Sequence, residues 1–230
     1  MPIKTISLKR SITSYSKVQK LVGAVIRSRR FQVQRKRTIG LRYLDVGCGP
    51  NTHCEFINLD FLWHSKVDVC WDISRGLPFP DNSMQGIYSE HCLEHFGLVQ
   101  ALALLKEFRR LMAPGGIVRI AVPDAELYLR LYVSHIDGNT EPKFPYSEIE
   151  SFQGFWCPML SVNRVFYQDR DSSSGHKVMY DYALLRALLR QAGFNWVEKS
   201  EFGQGQNPVL LIDSPQRQME SLYVEAGVNS

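Results

Sequence analysis

The chain has 230 residues, 44% hydrophobic and 11% aromatic, enough for one sizeable core in a domain of about 190 residues plus an extension. Five cysteines (Cys48, Cys54, Cys70, Cys92, Cys157) with no C-x-x-C pair argue against a disulfide framework and for a reducing, cytoplasmic setting, and no run approaches the roughly 18 apolar residues that span a bilayer. The formal net charge of +4 hides an asymmetry: residues 1–44 hold 12 Lys or Arg and no acid, leaving 15 basic and 23 acidic residues, a net −8, for the rest.

In the basic arm, Val18, Leu21, Val22, Val25 and Ile26 recur at helical spacing beside Lys17, Lys20 and Arg27, which predicts one amphipathic helix. Arg29, Arg30, Arg35, Lys36 and Arg37 follow. Three roles fit: residues 1–38 lying on an anionic membrane surface, an organelle transit peptide, or a helix packed on the domain with its charges solvated. No RNA-stacking aromatic motif accompanies the charges, so nucleic acid is set aside as a partner. Residues 1–40 are read as the extension and 41–230 as the domain.

The domain opens with a buried strand, residues 42–46, that leads through Asp45 into Gly47-Cys48-Gly49, two glycines able to let backbone approach a ligand. A second strand, 56–59, ends at Asp60, only 13 residues beyond Gly47. A crossover helix of ten or more residues does not fit that interval, so the first helix is expected to be missing or cut to a turn. A third strand, 67–71, ends at Asp72. The turn-rich L-P-F-P-D-N-S at 77–83 precedes a fourth strand, 85–89.

Residues 97–112 predict a helix with Leu98, Ala101, Leu102, Leu105, Phe108 and Met112 on one face; Pro114-Gly115-Gly116 then turns the chain into a fifth strand, 117–122. A short helix is expected over 125–133. The alternation of helix and strand predicts a mostly parallel sheet with helices on its faces. Residues 134–179 break the rhythm and carry Phe144, Tyr146, Phe152, Phe155, Trp156, Phe166 and Tyr167; so long an aromatic loop reads as a substrate-covering insertion. Asp181 can cap a helix over 182–192 that stops at Gly193. Late strands are expected at 194–202 and 222–226, with 209–212 extended.

D-V-G-C-G at 45–49, I-N-L-D at 57–60, Asp72 before L-P-F-P-D-N-S, S-E-H-C-L-E-H at 89–95, L-M-A-P-G-G at 111–116, H-K-V-M-Y-D-Y at 176–182 and E-S-L-Y-V-E-A at 220–226 together resemble a class I S-adenosylmethionine-dependent methyltransferase of the type 11 group. Within that group the chain is similar to predicted methyltransferases associated with bacterial cell-surface glycan genes. The resemblance implies a Rossmann-like, doubly wound α/β fold in three αβα layers, its seven-stranded sheet mostly parallel with the last strand antiparallel. It implies S-adenosylmethionine across the carboxyl ends of the early strands: Asp45, Gly47, Cys48 and Gly49 at the methionyl part, Asp60 at the ribose, Asp72, Ile73 and Leu77 at the adenine, and Ser89, Glu90 and His91 at the methyl-donor end. Glu55 and the spacing after Asp72 depart from the group's pattern, which touches the adenine contacts most.

A hydroxyl acceptor would benefit from a general base, for which His91, His176 and Asp124 are the catalytic candidates, with His95 nearby. S-E-H stands where methyltransferases acting on amino groups carry N/D-P-P-Y, which favours O-methylation of a small or glycan- or lipid-linked acceptor. His91 to His95 also fits H-x-x-E-H, a zinc-binding pattern on helices; following a parallel strand, it is read as part of the methyltransferase pattern, and no metal site is assigned. Two rivals stand beside this reading. A nicotinamide-dependent oxidoreductase or sugar-modifying enzyme would need a third glycine where position 52 is Thr; a non-catalytic protein peripheral to a membrane's inner face would keep the fold without turnover.

Overall fold

A computed structural model describes residues 17–28, 40–139, 143–145, 154–167 and 175–229. Arg29, Arg30, Arg35, Lys36 and Arg37 of the arm, and Tyr146 and Phe152 of the insertion, lie outside them. The described chain runs α1 (Lys17–Ser28), β1 (Tyr43–Val46), β2 (Ile57–Asp60), β3 (Val69–Cys70), β4 (Met84–Glu90), α2 (Leu98–Leu111), β5 (Met112–Pro123), α3 (Ala125–Ile136), α4 (Pro158–Tyr167), α5 (Tyr182–Ala192), β6 (Trp196–Ser200) and β7 (Ser221–Gly227). The seven strands form one sheet in the order β3-β2-β1-β4-β5-β7-β6, parallel except for β7, which runs antiparallel to both neighbours. This is the sheet that the resemblance implied.

The interval between β1 and β2 contains no helix, as the spacing predicts. Gly47 N and Cys48 N both donate to Leu59 O, at 2.9 and 3.2 Å, so the chain folds straight back onto β2. Gly47 and Gly49 have φ of +77° and +52°, where side chains are strained. A Cβ on Gly47 would also lie 2.8 Å from Cys92 Sγ.

Several boundaries differ from the sequence reading. β3 contributes two ladder residues because it is an edge strand paired only with β2. Pro114-Gly115-Gly116 does not precede β5 but lies inside it: Leu111 passes directly into extended Met112, and the register shifts between Met84 and Gly86 of β4 absorb the extra residues. Residues 209–212 are not a strand; Asn207 caps Val209 N and Pro208–Leu210 forms a 3-10 turn. α4 lies in a segment read as loop. With Phe144 (1% exposed) and Tyr128 it builds a small aromatic core under α3.

α1 forms where expected but presents a different side. Gly23 and Ile26 pack toward Trp63, Val67 and Cys70, while Leu21 and Val25 are 67% and 43% exposed. The Arg27 guanidinium lies 3.7 Å over the Phe61 ring and donates to Phe61 O.

Arg119 on β5 is fully buried. It makes a two-pronged pair with Asp213, donates to Glu225 Oε1 at 3.2 Å and reaches Gln204 O and Glu201 O, both at 2.8 Å. One cation thus joins β5, β7 and the excursion between β6 and β7. Replacing Arg119 by Met should destabilise the fold by about 3–5 kcal/mol, because two buried carboxylates lose their partner; urea unfolding of the variant against the parent checks this.

Candidate functional site

The carboxyl ends of β1, β2, β3 and β4 bring Asp45, Asp60, Asp72 and Glu90 to one edge of the sheet, the rim where ligands bind in open α/β sheets. Asp45 is 3% exposed, and burial, with the Glu90 and Asp60 carboxylates adding to it, holds its carboxyl well above the usual range. Asp60 accepts from Gly49 N at 2.9 Å and Leu62 N at 2.6 Å. Burial raises its pKa while those two amides oppose the rise. The carboxylate therefore anchors the glycine turn and still has a lone pair on each oxygen for a ligand. His64 Nε2 meets Gly49 O at 2.6 Å and ties the same turn from the other side.

Asp72 is committed differently. It caps the 3-10 turn Ile73–Arg75, with Ser74 N at 3.1 Å, Ser74 Oγ at 2.6 Å and Arg75 at 3.4 Å. Leu77 is 5% exposed and belongs to the main core, with Ile73 packed at its margin. Ser89 Oγ donates to Val46 O at 3.2 Å. Cys48 is buried, and burial raises its thiol.

Glu90 receives both the amide (3.0 Å) and the hydroxyl of Ser214. That pair swings residues 211–216 across the rim to face residues 50–53, with a cavity of about 610 Å³ between them. Asn51, Thr52, His53, Lys66, Asp213, Ser214 and Gln216 border it. His53 is held by buried Asn58, which accepts from His53 N at 2.8 Å and donates to His53 O at 3.0 Å. Desolvation lowers the His53 pKa, with Glu90 opposing. Neither His53 nor Ser214 was singled out from the sequence. His53 follows the glycine turn closely enough to have been noticed, whereas Ser214 lies 124 residues from its partner.

The three catalytic candidates do not converge. Asp124 caps α3 through Leu127 N at 3.3 Å. His91, in a left-handed backbone with φ of 47°, meets Ser221 Oγ at 2.8 Å and Glu94 Oε1 at 3.5 Å. His176 joins it around Glu94, with Nε2 3.8 Å from Glu94 Oε1 and Nδ1 2.7 Å from Val165 O. Burial pushes Glu94 up to about 8 and His176 down to about 4.

A rim with Asp45, Asp60 and Glu90, in which Asp45 has no cation among its main influences, fits a ligand bearing positive charge. The sulfonium and ammonium of S-adenosylmethionine supply it. The seven-stranded order, the antiparallel β7, the glycine turn and this acidic rim define a class I S-adenosylmethionine-dependent methyltransferase. The chain belongs to the methyltransferase-domain family, whose model matches residues 16–199. That membership sets aside the nicotinamide oxidoreductase. Among solved structures, a SAM-dependent methyltransferase of Thermotoga maritima, described as a possible histamine N-methyltransferase, is 15% identical over 80% of this chain and 81% of its own, with a TM-score of 0.46. A SAM-dependent methyltransferase of Archaeoglobus fulgidus is 18% identical over 90% and 93%, also at 0.46. One of Mesorhizobium loti is 15% identical over 88% and 94%, at 0.46. Among curated proteins nothing matches.

Calorimetry with S-adenosylhomocysteine discriminates between the two outer acids. Asp60→Ala should weaken binding by about 1–3 kcal/mol, the cost of unmaking hydrogen bonds to a charged group. Asp72→Ala, whose carboxylate is already spent on Ser74 and Arg75, should weaken it less.

Proposed function

We propose that the enzyme methylates a hydroxyl oxygen on a small or glycan-type acceptor, lipid-linked or free, held between residues 50–53 and 211–216. The observation that carries this reading is the cavity there: about 610 Å³, within the range of ligand sites, and bordered by seven polar side chains together with Pro50, Leu211, Ile212 and Pro215, a mixed lining that suits a hydroxylated molecule. In this reading Asp45, Gly47, Cys48 and Gly49 flank the methionyl part of the cofactor, Asp60 takes the ribose hydroxyls, and Asp72, Ile73 and Leu77 adjoin the adenine. Ser89, Glu90 and His91 stand at the donor end. The near-complete burial of Leu77 leaves Ile73 as the more open apolar contact.

Bound S-adenosylmethionine supplies an already activated methyl group on a positive sulfur. The protein's share is to hold the acceptor in line, exclude water and receive one proton. The hydroxyl proton that the acceptor releases as it takes the methyl group would pass to His53. Its lowered pKa leaves the imidazole neutral near pH 7, ready to accept, and Glu90 favours the imidazolium that results. Of the insertion over residues 134–179, His176 reaches the turn after β4, and none of its described residues borders the cavity between residues 50–53 and 211–216.

Labelled donor incubated with soluble glycans and their lipid-linked forms should yield an O-methyl ether; label on nitrogen or carbon would reject the acceptor class. The acidic limb of kcat/KM should fall below pH 6.5, the ordinary histidine value, since His53 must shed its proton to act and holds it less tightly than usual. His53→Gln should abolish that limb and reduce kcat about a hundredfold, leaving S-adenosylhomocysteine affinity unchanged.

A membrane-peripheral location is favoured by one observation: α1 keeps Leu21 and Val25 exposed beside exposed Lys20, the composition of a helix that lies on an anionic surface. No helix among the described residues is long and apolar enough to cross a membrane. The full chain should co-sediment with liposomes containing anionic lipid, and a form lacking residues 1–38 should remain in the supernatant. Equal partitioning of the two forms would remove the membrane role.

A further inference from the structure

Methyl transfer as described leaves one buried cluster unused. Glu94 sits in the 3-10 turn Leu93–His95 just beyond β4, completely buried, and neither of its carboxylate oxygens has a hydrogen-bond partner. Lys177 N and Val178 N donate to the Glu94 backbone oxygen at 2.8 and 3.2 Å, which presses the start of that segment against the turn and delivers His176 to the carboxylate.

The tautomer of His176 follows from its contacts. Its Nδ1 lies 2.7 Å from Val165 O, and a carbonyl only accepts, so Nδ1 carries the hydrogen and Nε2 presents a lone pair. That Nε2 is buried, has no hydrogen bond and faces Glu94 Oε1 at 3.8 Å. Once Glu94 is ionised, two electron-rich groups oppose each other in a dry interior, an arrangement that is costly unless a proton or a cation sits between them. The His95 ring stands edge-on to His176 with centroids 5.0 Å apart. One donor atom from each of Glu94, His95 and His176 lies within 4.8 Å of the others.

We propose that Glu94, His95 and His176 bind one divalent transition-metal ion of the zinc class at the carboxyl end of β4. Donors at zinc distances of about 2.0–2.1 Å stand ~3.4 Å apart in a tetrahedral site, so on binding the 3.8 Å gap closes slightly and the others, within 4.8 Å, close further. Two imidazoles with one carboxylate suit zinc and its neighbours rather than magnesium or calcium, which prefer oxygen. The Nδ1 hydrogen bond to Val165 O is the outer contact that fixes a metal-binding histidine's tautomer and orientation. His91 Nδ1, 3.5 Å from the same Glu94 oxygen, stands within reach as a fourth donor. The ion clips the segment holding His176 to the end of β4.

The test uses the full chain, stripped with a chelator, dialysed and titrated with zinc chloride in a calorimeter. One equivalent should bind and raise the melting temperature, and the ¹⁵N resonance of His176 Nε2 should shift as it does. Glu94→Gln and His176→Gln should each weaken zinc by at least a hundredfold, since losing even an outer-shell partner costs 10- to 100-fold. Substoichiometric binding by the parent chain, parent-like affinity in both variants, or a His176 resonance indifferent to one equivalent of zinc would overturn the proposal. The resonance is read on the unmodified protein and holds even where a variant fails to fold.

Discussion

The shape of the cleft depends on a guanidinium that never meets water. Arg119 occupies the middle of β5, and every direction its donors point leads to a different part of the chain: Asp213, Glu225, and the carbonyls of Glu201 and Gln204. Asp213 also accepts from Tyr88 on β4 at 3.3 Å and from Gly203 N at 2.8 Å. Desolvating these charges is expensive, and the geometry offsets the cost only because nearly every donor is matched. Asp213 adjoins Ser214, whose grip on Glu90 forms one wall of the cavity. A structural ion pair thus sets the position of residues that wall the cavity.

At the carboxyl ends of β1, β2 and β4 the governing constraint is negative charge. Asp45, Asp60 and Glu90 converge on one rim, and burial makes Asp45 and Asp60 harder to ionise. The backbone amides of Gly49 and Leu62 stabilise one of them. A cationic cofactor completes the balance, so the same arrangement that is uncomfortable when empty becomes a source of affinity when filled.

Much of this could be read from the residues themselves. The missing first helix followed from counting positions between Gly47 and Asp60, because thirteen residues cannot hold two turns and a helix. α5 was legible to the residue, its boundaries fixed by the Asp181 side chain on Leu184 N and by Gly193 in the left-handed region. Edges and breakers misled where tertiary pairing overruled local preference. A run of proline and glycine that ordinarily ends a strand was absorbed into β5 by a register shift, and β3 shrank because only one side of it is paired. Contacts joining distant positions left no trace in periodicity. Nothing in the pattern around residue 90 announces Ser214, and nothing around residue 94 announces His176.

The helix-free corner has one more consequence. Where a glycine turn opens a helix, the first exposed amides and the aligned peptide dipoles create a positive pole that seats phosphate. Here the turn runs directly into β2, and its amides are turned inward onto Leu59 O and Asp60. The corner therefore has no pole to offer a pyrophosphate, and its acids repel one. Selection between a nucleoside thioether and a dinucleotide is thus built into the connection between two strands, before any side chain touches a base.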